Sequence, residues 1–505
     1  MDMETFMSIN WSIMIPEFII LGAALIISIM DLVMPKLVNR RILGWFAFLS
    51  ILIAMVSLSA LISVGTDSIL YDTFRLDAFA KAFKLILLAG AALVMLLAID
   101  FETKEGFETY RGEFYYLFLS ALLGGMVMSS SGDLITLFVG LELLSISSYI
   151  LAGMRKGNLR SAEASMKYVI NGGISTAITL FGMSYLYGVS GTTNLYELGT
   201  IVSNQTVPQL QYITGLSFFI LFIGLSFKLA TVPFHMWAPD VYEGAPTPVT
   251  AFLSIVSKTA GFVLLLRLII TVYLTAMMDD IGFLSIFTAN QQYIAVFAAL
   301  TMIIGNIVAL RQSNIKRMLG YSSIAHAGYL LAAVAAFGQY TIEAIWFYFV
   351  AYLLMNMGAF AIIQYLSMKN DDYESPSILA GLYRRSPVLA VCMSIFFLSL
   401  AGIPGTAGFI GKLNIFVSLF AKEQAHYILA GIMLVTTVIS YVYYFKVMIL
   451  MFMRTGSEVK ERGLPPGITL VLWICAAGTL LLGIFPGPVL DFFHSHFAEV
   501  YKFMK

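Results

Sequence analysis

The chain has 505 residues, 59% of them hydrophobic and 11% charged, with a mean hydropathy of +0.88 and a formal net charge of zero. Charged residues stand at less than half the roughly 25% of soluble proteins, which assigns the chain to the membrane class, and the zero net charge offers no basic surface, so no nucleic-acid partner is expected. The two cysteines, Cys392 and Cys475, lie far apart in separate apolar runs and there is no CxxCH haem signature, so no metal or redox cofactor is expected in this chain.

A helix that spans a bilayer needs about 20 mostly apolar residues. Fourteen segments meet that need, at about 13–33, 42–64, 78–99, 114–130, 133–153, 163–188, 212–236, 246–274, 290–310, 317–337, 342–366, 387–420, 425–452 and 467–488. The first follows Asp2 and Glu4 rather than a basic stretch, so a cleaved signal peptide is not expected. The loops are mostly short and leave no room for a soluble domain. Backbone groups have no water to bond in the hydrocarbon core, so the spans must be helices. The expected fold is an all-α integral membrane protein with 14 transmembrane helices and one membrane domain over 1–505.

Lysine and arginine in the loops set the orientation. Loops after odd-numbered spans carry seventeen, among them Lys36, Arg40, Arg41, Arg155, Lys156, Arg160, Arg384 and Arg385, against four on the other side, Arg75, Lys422, Lys502 and Lys505. The bias keeps its phase across all fourteen spans and places both termini outside the cytoplasm.

The twelfth span contains G-I-P-G-T-A-G-F-I-G-K, residues 402–412. A Walker loop needs GxxxxGK[ST], but Thr406 stands at the first glycine and Leu413 replaces the Ser or Thr, so the phosphate reading fails. Gly402, Pro404, Gly405 and Gly408 instead predict an interruption within the span, because proline lacks an N–H and clashes with the preceding turn. Freed backbone groups at membrane depth must be buried in protein or face internal water. The seventh span has the same arrangement, Lys228 shortly before Pro233. Spans seven and twelve are five apart, an odd number, so a repeat relating them would be inverted in the membrane, and paired interrupted helices in inverted halves point to a transport site. A fainter sign of symmetry is Glu163-Ala164 with Tyr168 in the sixth span against Glu343-Ala344 with Tyr348 in the eleventh.

Eight basic residues fall inside the spans: Lys81, Lys84, Lys167, Lys228, Lys258, Arg267, Lys412 and Lys446. Each costs roughly 2.5–3.5 kcal/mol at mid-bilayer. Lys446 is close enough to the cytoplasmic interface to snorkel. Lys81 and Lys84 open the third span, where Asp77 one turn earlier predicts an ion pair. Arg267 is read as interfacial or packed on a neighbour. Lys228, Lys258 and Lys412 are deeper, and Glu142 near the centre of the fifth span is a carboxylate that needs a partner, for which Lys228 is the natural candidate. Lys167 has Glu163 one turn before it, so a plain i,i+4 pair competes with a functional role. His235 and His326 are read either as hydrogen-bonded core residues or as relay groups. Asp240 and Glu243 are read as caps of helix N-termini.

The chemistry follows from desolvation. Burial disfavours a charged ammonium and a nearby carboxylate favours it. A lysine whose acidic partner withdraws can release a proton and recapture one when the partner returns. A hundredfold modulation of proton affinity is about 2.7 kcal/mol, the scale of moving one charge across 100 mV, about 2.3 kcal/mol. Glu142 and Lys228 form the expected switch, Lys258 and His326 the middle relay, and Lys412 the exit group.

Residues 233–258, P-F-H-M-W-A-P-D-V-Y-E-G-A-P-T-P-V-T-A-F-L-S-I-V-S-K, resemble the signature of the antiporter-like membrane subunits of complex I, the proton-pumping NADH:quinone oxidoreductase. The V-Y-E-G-A-P form resembles the subunit N branch, as does a lysine rather than a glutamate in the twelfth helix. The resemblance implies two inverted five-helix repeats, about spans 4–8 and 9–13, with helices 7 and 12 discontinuous. It divides the chain into three N-terminal helices (1–112), a first repeat (113–275), a second repeat (289–453) and a C-terminal helix with a short tail (454–505). It implies functional roles for Glu142, Lys228, Lys258 and Lys412 and accessory ones for Lys167, His235 and His326. It also implies that NADH, flavin, iron–sulfur clusters and quinone are handled by sister subunits, with other membrane-arm subunits and the lipid bilayer as partners. The expected location is a bacterial cell membrane rather than an organellar inner or thylakoid membrane. The rival readings are a subunit of a multi-subunit cation/proton antiporter, the membrane arm of a hydrogenase- or formate-linked complex, and a non-pumping scaffold whose buried charges only hold helices together.

Overall fold

The computed structural model describes residues 9–35, 38–102, 107–205, 207–274, 286–368, 376–421, 426–455 and 463–500. Both chain ends, and with them Asp2, Glu4, Lys502 and Lys505, lie outside the described residues, as do Lys36 and Lys422.

Among the described residues, 13 helices are long and apolar enough to cross a membrane. The first six are α1 (Ile15–Val33), α2 (Arg41–Ala60), α3 (Ala78–Ile99), α4 (Arg111–Ser129), α5 (Leu134–Ala152) and α6 (Leu159–Ser190). The short α7 (Leu195–Ser203) precedes α8 (Pro208–Leu229), and the short α9 (Trp237–Gly244) precedes α10 (Thr247–Tyr273). Then follow α11 (Ile286–Ala309), α12 (Ile315–Ala335) and α13 (Thr341–Ser367). The segment expected at 387–420 is two shorter apolar helices, α14 (Pro387–Ala401) and α15 (Ala407–Ser418). The long α16 (Tyr427–Met453) and α17 (Pro466–Ile484) and the short α18 (Gly487–Phe497) complete the order. One element departs from the expected all-α chain. A hairpin of β1 (Asp67–Ile69) and β2 (Phe74–Leu76) pairs Asp67 with Leu76 and Ser68 with Arg75. Three-residue strands are too short to show an alternating pattern.

The helices sort by burial. α10 is buried along its whole length, and α3, α12 and α13 almost so. The outer helices turn large apolar side chains outward, such as Leu25 and Ile29 of α1, Val139 and Ile146 of α5 and Val438 of α16. Such faces suit hydrocarbon, whereas Lys228, Lys258, Arg267 and Lys412 within the spans are buried in the interior.

Two helix ends fall inside the helical bundle. α8 stops at Leu229 because Ala230 turns left-handed (φ 56). The Thr231 and Ala230 N–H groups then donate back to the Ser226 and Phe227 carbonyls, each at 2.9 Å. α14 stops at Ala401 in the same way. Gly402 has φ 85, Ile403 N–H donates to Leu398 O at 2.9 Å, and Gly402 N–H to Ser399 O at 3.0 Å. Both are Schellman ends, in which a left-handed residue lets two N–H groups close the final turn. Pro233 and Pro404 follow and prevent either helix from resuming. Gly405 is left-handed again (φ 88), and Gly408 lets α15 press against α14: a Cβ there would lie 1.9 Å from the Ser399 carbonyl oxygen.

Candidate functional site

A helix C-terminus leaves carbonyls without partners and carries the negative end of the helix dipole, so it favours a cation. Both interior ends hold a lysine there. Lys228 lies in the last turn of α8 itself. Lys412 starts from α15 and reaches back, donating to Leu400 O (3.0 Å) and Ala401 O (2.9 Å) at the end of α14. The glycine of the break makes room for it: a Cβ on Gly402 would lie 2.9 Å from Lys412 Cδ. The far side of the ammonium faces the Tyr329 ring, 4.9 Å from its centroid.

The Lys228 side chain lies along α10, where the missing Cβ of Gly261 gives it space. Its Nζ donates to Ser145 Oγ at 3.2 Å. One turn before Gly261, Lys258 follows a π turn, Leu253–Ser257. Such turns break the regular spacing of a helix and frequently mark functional positions. Lys258 Nζ donates to Ser323 of α12, through the carbonyl at 2.6 Å and Oγ at 2.5 Å, and Tyr242 OH lies 3.1 Å from the same Oγ. One turn along α12, His326 Nδ1 lies 2.5 Å from Tyr348 OH and Nε2 lies 3.4 Å from Tyr444 OH. The Tyr348 ring rests against Gly411, the neighbour of Lys412. The His326 ring also packs edge-on against Tyr329, with centroids 5.6 Å apart, and Tyr329 is the ring that faces the Lys412 ammonium. Lys258, His326 and Lys412 are thus brought together, with serine and tyrosine hydroxyls between them.

Glu142 is placed differently from the expected ion pair. Its Oε1 accepts from Thr176 Oγ1 of α6 at 2.8 Å, the carboxylate is only partly buried, and it acts on Lys228 as a charge rather than by contact. Lys167 stands apart from the line. It is half-exposed and bridges Glu163 and Asp240, each at 2.6 Å. His235 lies in the stretch between α8 and α9, and among the described residues no hydrogen bond joins it to a lysine; its ring faces Tyr321, with centroids 6.5 Å apart.

Several local expectations change. Neither Asp240 nor Glu243 of α9 makes a capping hydrogen bond, although Asp240 lies in the first turn of α9, where an acid suits the helix dipole. They pair with Arg317 at 2.5 and 2.9 Å, while Lys316 binds the carbonyls of Glu243 (3.0 Å) and Ala245 (2.7 Å). Asp77 does not pair with Lys81. It caps α3 by accepting from Ala80 N (2.8 Å), which fixes its carboxylate toward Arg267 of α10. Arg267 is fully buried and also donates to Ser129 O. Lys81 donates to Val64 O. Lys84 forms a buried ion pair with Glu17 in the first turn of α1, a partner that nothing in the local sequence signals. Lys446 is exposed. Among the described residues, no group of three or more His, Cys, Asp or Glu is placed to hold a metal ion.

Residues 131–440 match the family described as NADH:quinone oxidoreductase/Mrp antiporter, TM. The chain is similar to NADH-quinone oxidoreductase subunit N of Geobacillus sp. (strain WCH70), 58% identical over 487 residues that cover 96% of this chain and 99% of that one. Among solved structures it is similar to a chain of respiratory complex I from Thermus thermophilus with bound aureothin, with a TM-score of 0.78, 30% identity and coverage of 94% and 99%. It is also similar to a chain of the membrane-bound sulfane sulfur reductase, an archaeal respiratory membrane complex, with a TM-score of 0.84, 25% identity and coverage of 97% and 98%. The chain therefore belongs to the family of antiporter-like membrane subunits of NADH:quinone oxidoreductase, in its subunit N branch.

Proposed function

We propose that this chain is a proton-translocating membrane-arm subunit of an NADH:quinone oxidoreductase. In this reading NADH, flavin, iron–sulfur clusters and quinone belong to sister subunits, and their chemistry reaches this chain through charge and conformation. The observation that carries the reading is the character of the buried lysines. Lys258 and Lys412 hold carbonyl and hydroxyl groups, and neither touches a carboxylate among the described residues. Hydroxyls can donate to a neutral amine as well as accept from an ammonium, and carbonyls accept from either, so each lysine can lose its proton and keep its position. A change in charge at Glu142 biases Lys228, and the change passes along Lys258, His326 and Lys412.

The breaks at 230–236 and 402–406 support the same reading. They end in the same hydrogen-bond motif, each beside a lysine, five spans apart. Taken as one broken crossing, α14 and α15 bring the count to fourteen, with repeats at 113–275 and 289–453 after three N-terminal helices at 1–112 and before a C-terminal helix and tail at 454–505. Tyr168 and Tyr348, matched by the repeat, are both fully buried. In this reading both termini lie outside the cytoplasm of a bacterial cell, an orientation that the loop charges favour.

The test is Lys228→Ala or Glu142→Ala in the assembled complex. Quinone reduction that persists together with full proton pumping would sink the proposal. An antiporter subunit would instead carry sodium-dependent transport with neither NADH nor quinone. The near full-length match to subunit N favours the oxidoreductase.

A further inference from the structure

Among the described residues no ion pair joins Glu142 to Lys228, and each bonds to a hydroxyl instead. Glu142, Ser145 and Tyr149 sit at i, i+3 and i+7 of α5 and so line one face. Gly172 and Thr176 sit one turn apart on α6, which packs against that face. Lys228 donates to Ser145 Oγ at 3.2 Å, and Thr176 donates to Glu142 Oε1 at 2.8 Å. The Tyr149 hydroxyl packs against Gly172, one turn from Thr176 on α6, and interacts with both Ser145 and Thr176. Its seat is shaped for it: a Cβ on Gly172 would lie 2.0 Å from the hydroxyl oxygen. Its ring is held edge-on against Tyr168, with centroids 4.7 Å apart.

We propose that Tyr149 carries the proton between Lys228 and Glu142, as the middle member of the chain Lys228–Ser145–Tyr149–Thr176–Glu142. This rests on the function proposed above. A hydroxyl can accept a proton on one side while releasing its own on the other. In the step, the Lys228 ammonium gives a proton to Ser145, Ser145 gives its own to Tyr149, Tyr149 to Thr176, and Thr176 to the Glu142 carboxylate. The products are a neutral amine and a carboxylic acid. Every hydroxyl ends with one proton, and no oxidant or reductant takes part. The two terminal bonds already point in this direction, since Lys228 and Thr176 are both donors. Rotation of the three hydroxyls resets the chain.

The test is Tyr149→Phe in the assembled complex in native membrane vesicles, with Lys228→Ala in parallel. The ring remains to pack on Tyr168, so only the oxygen is lost. Proton uptake is followed with a pH-sensitive dye during NADH oxidation in H2O and D2O. The proposal expects wild-type amounts of complex, uptake slowed at least about tenfold, and a larger solvent isotope effect, because the proton step becomes limiting. A purely packing role would not raise the isotope effect. Uptake at the wild-type rate in Tyr149→Phe, with Lys228→Ala impaired, overturns the relay and leaves the proposed function standing. Full uptake in both variants removes the function and the relay with it. If Tyr149→Phe fails to assemble, Thr176→Val carries the test: wild-type uptake overturns the relay, and slowed uptake with a raised isotope effect supports it.

Discussion

Two sets of cations are buried in this molecule, and they are held in opposite ways. Near the first helix, Lys84 pairs with Glu17 and Arg267 with Asp77, and all four side chains are removed from solvent. Along the middle, Lys228, Lys258 and Lys412 are equally enclosed but bond to a serine hydroxyl, to a serine hydroxyl and carbonyl, and to two helix-end carbonyls. A buried ion pair is neutral as a whole and resists losing either charge, because the remaining charge would stand uncompensated in low dielectric. A lysine held by neutral acceptors has no such lock. The first set fixes α1, α3 and α10 to one another, and the second set leaves the proton free to move.

The largest expected effect is on the locked set. Glu17→Gln strands the Lys84 charge and should destabilise the chain by about 3–5 kcal/mol. The readout is the amount of assembled complex and its thermal midpoint. The double variant Glu17→Leu/Lys84→Met should recover most of the loss, since removing both charges leaves nothing uncompensated. Pumping per assembled complex should stay near wild type throughout. Lys412→Met is the counterpart. It strands no charge and leaves only the Leu400 and Ala401 carbonyls without a donor, a loss of roughly 1–3 kcal/mol. Assembly should survive while proton pumping falls by about tenfold or more. If Lys412→Met abolished assembly as severely as Glu17→Gln, the two sets would not differ in kind, and the scaffold reading would gain.

The sequence makes the second set legible and hides the first. Lys228, Lys258 and Lys412 stand in long apolar runs, two of them beside Pro and Gly interruptions, and hydropathy alone exposes them. The ion pairs depend on partners far along the chain: Lys84 lies 67 residues from Glu17, and Arg267 lies 190 from Asp77. The local rule that one turn along a helix brings Asp77 to Lys81 fails because Asp77 is the cap of α3, and a side chain bonded to the Ala80 N–H is turned away from the helix flank. Asp240 and Glu243 fail for a similar reason: α9 brings them to Arg317 on α12, which sequence neighbours cannot reveal. Ser145, Tyr149 and Thr176 are common membrane-helix residues. Only the stripe they form with Glu142, at i+3 and i+7 on α5, could have singled out the first two.

The smallest effects distinguish the two breaks, which share a hydrogen-bond pattern but not a residue. Gly402 is left-handed and sits under the Lys412 side chain, so Gly402→Ala adds two penalties. The backbone cost is about 1–2 kcal/mol. The new methyl also pushes Lys412 Cδ, and with it the ammonium, off the Leu400 and Ala401 carbonyls. Pumping should therefore fall by more than the lost stability accounts for. Ala230 adopts the same region of backbone space with a methyl already present. Ala230→Gly should relieve strain, offset in part by the greater freedom of glycine in the unfolded chain, for a net gain of up to about 1 kcal/mol in the thermal unfolding of the complex. Lys228 extends from the preceding turn of its own helix toward Ser145 rather than across the break, so this variant should leave pumping unchanged. A pumping defect in Ala230→Gly would show that the strained alanine itself holds Lys228 in position, and that the two breaks serve their lysines in the same way after all.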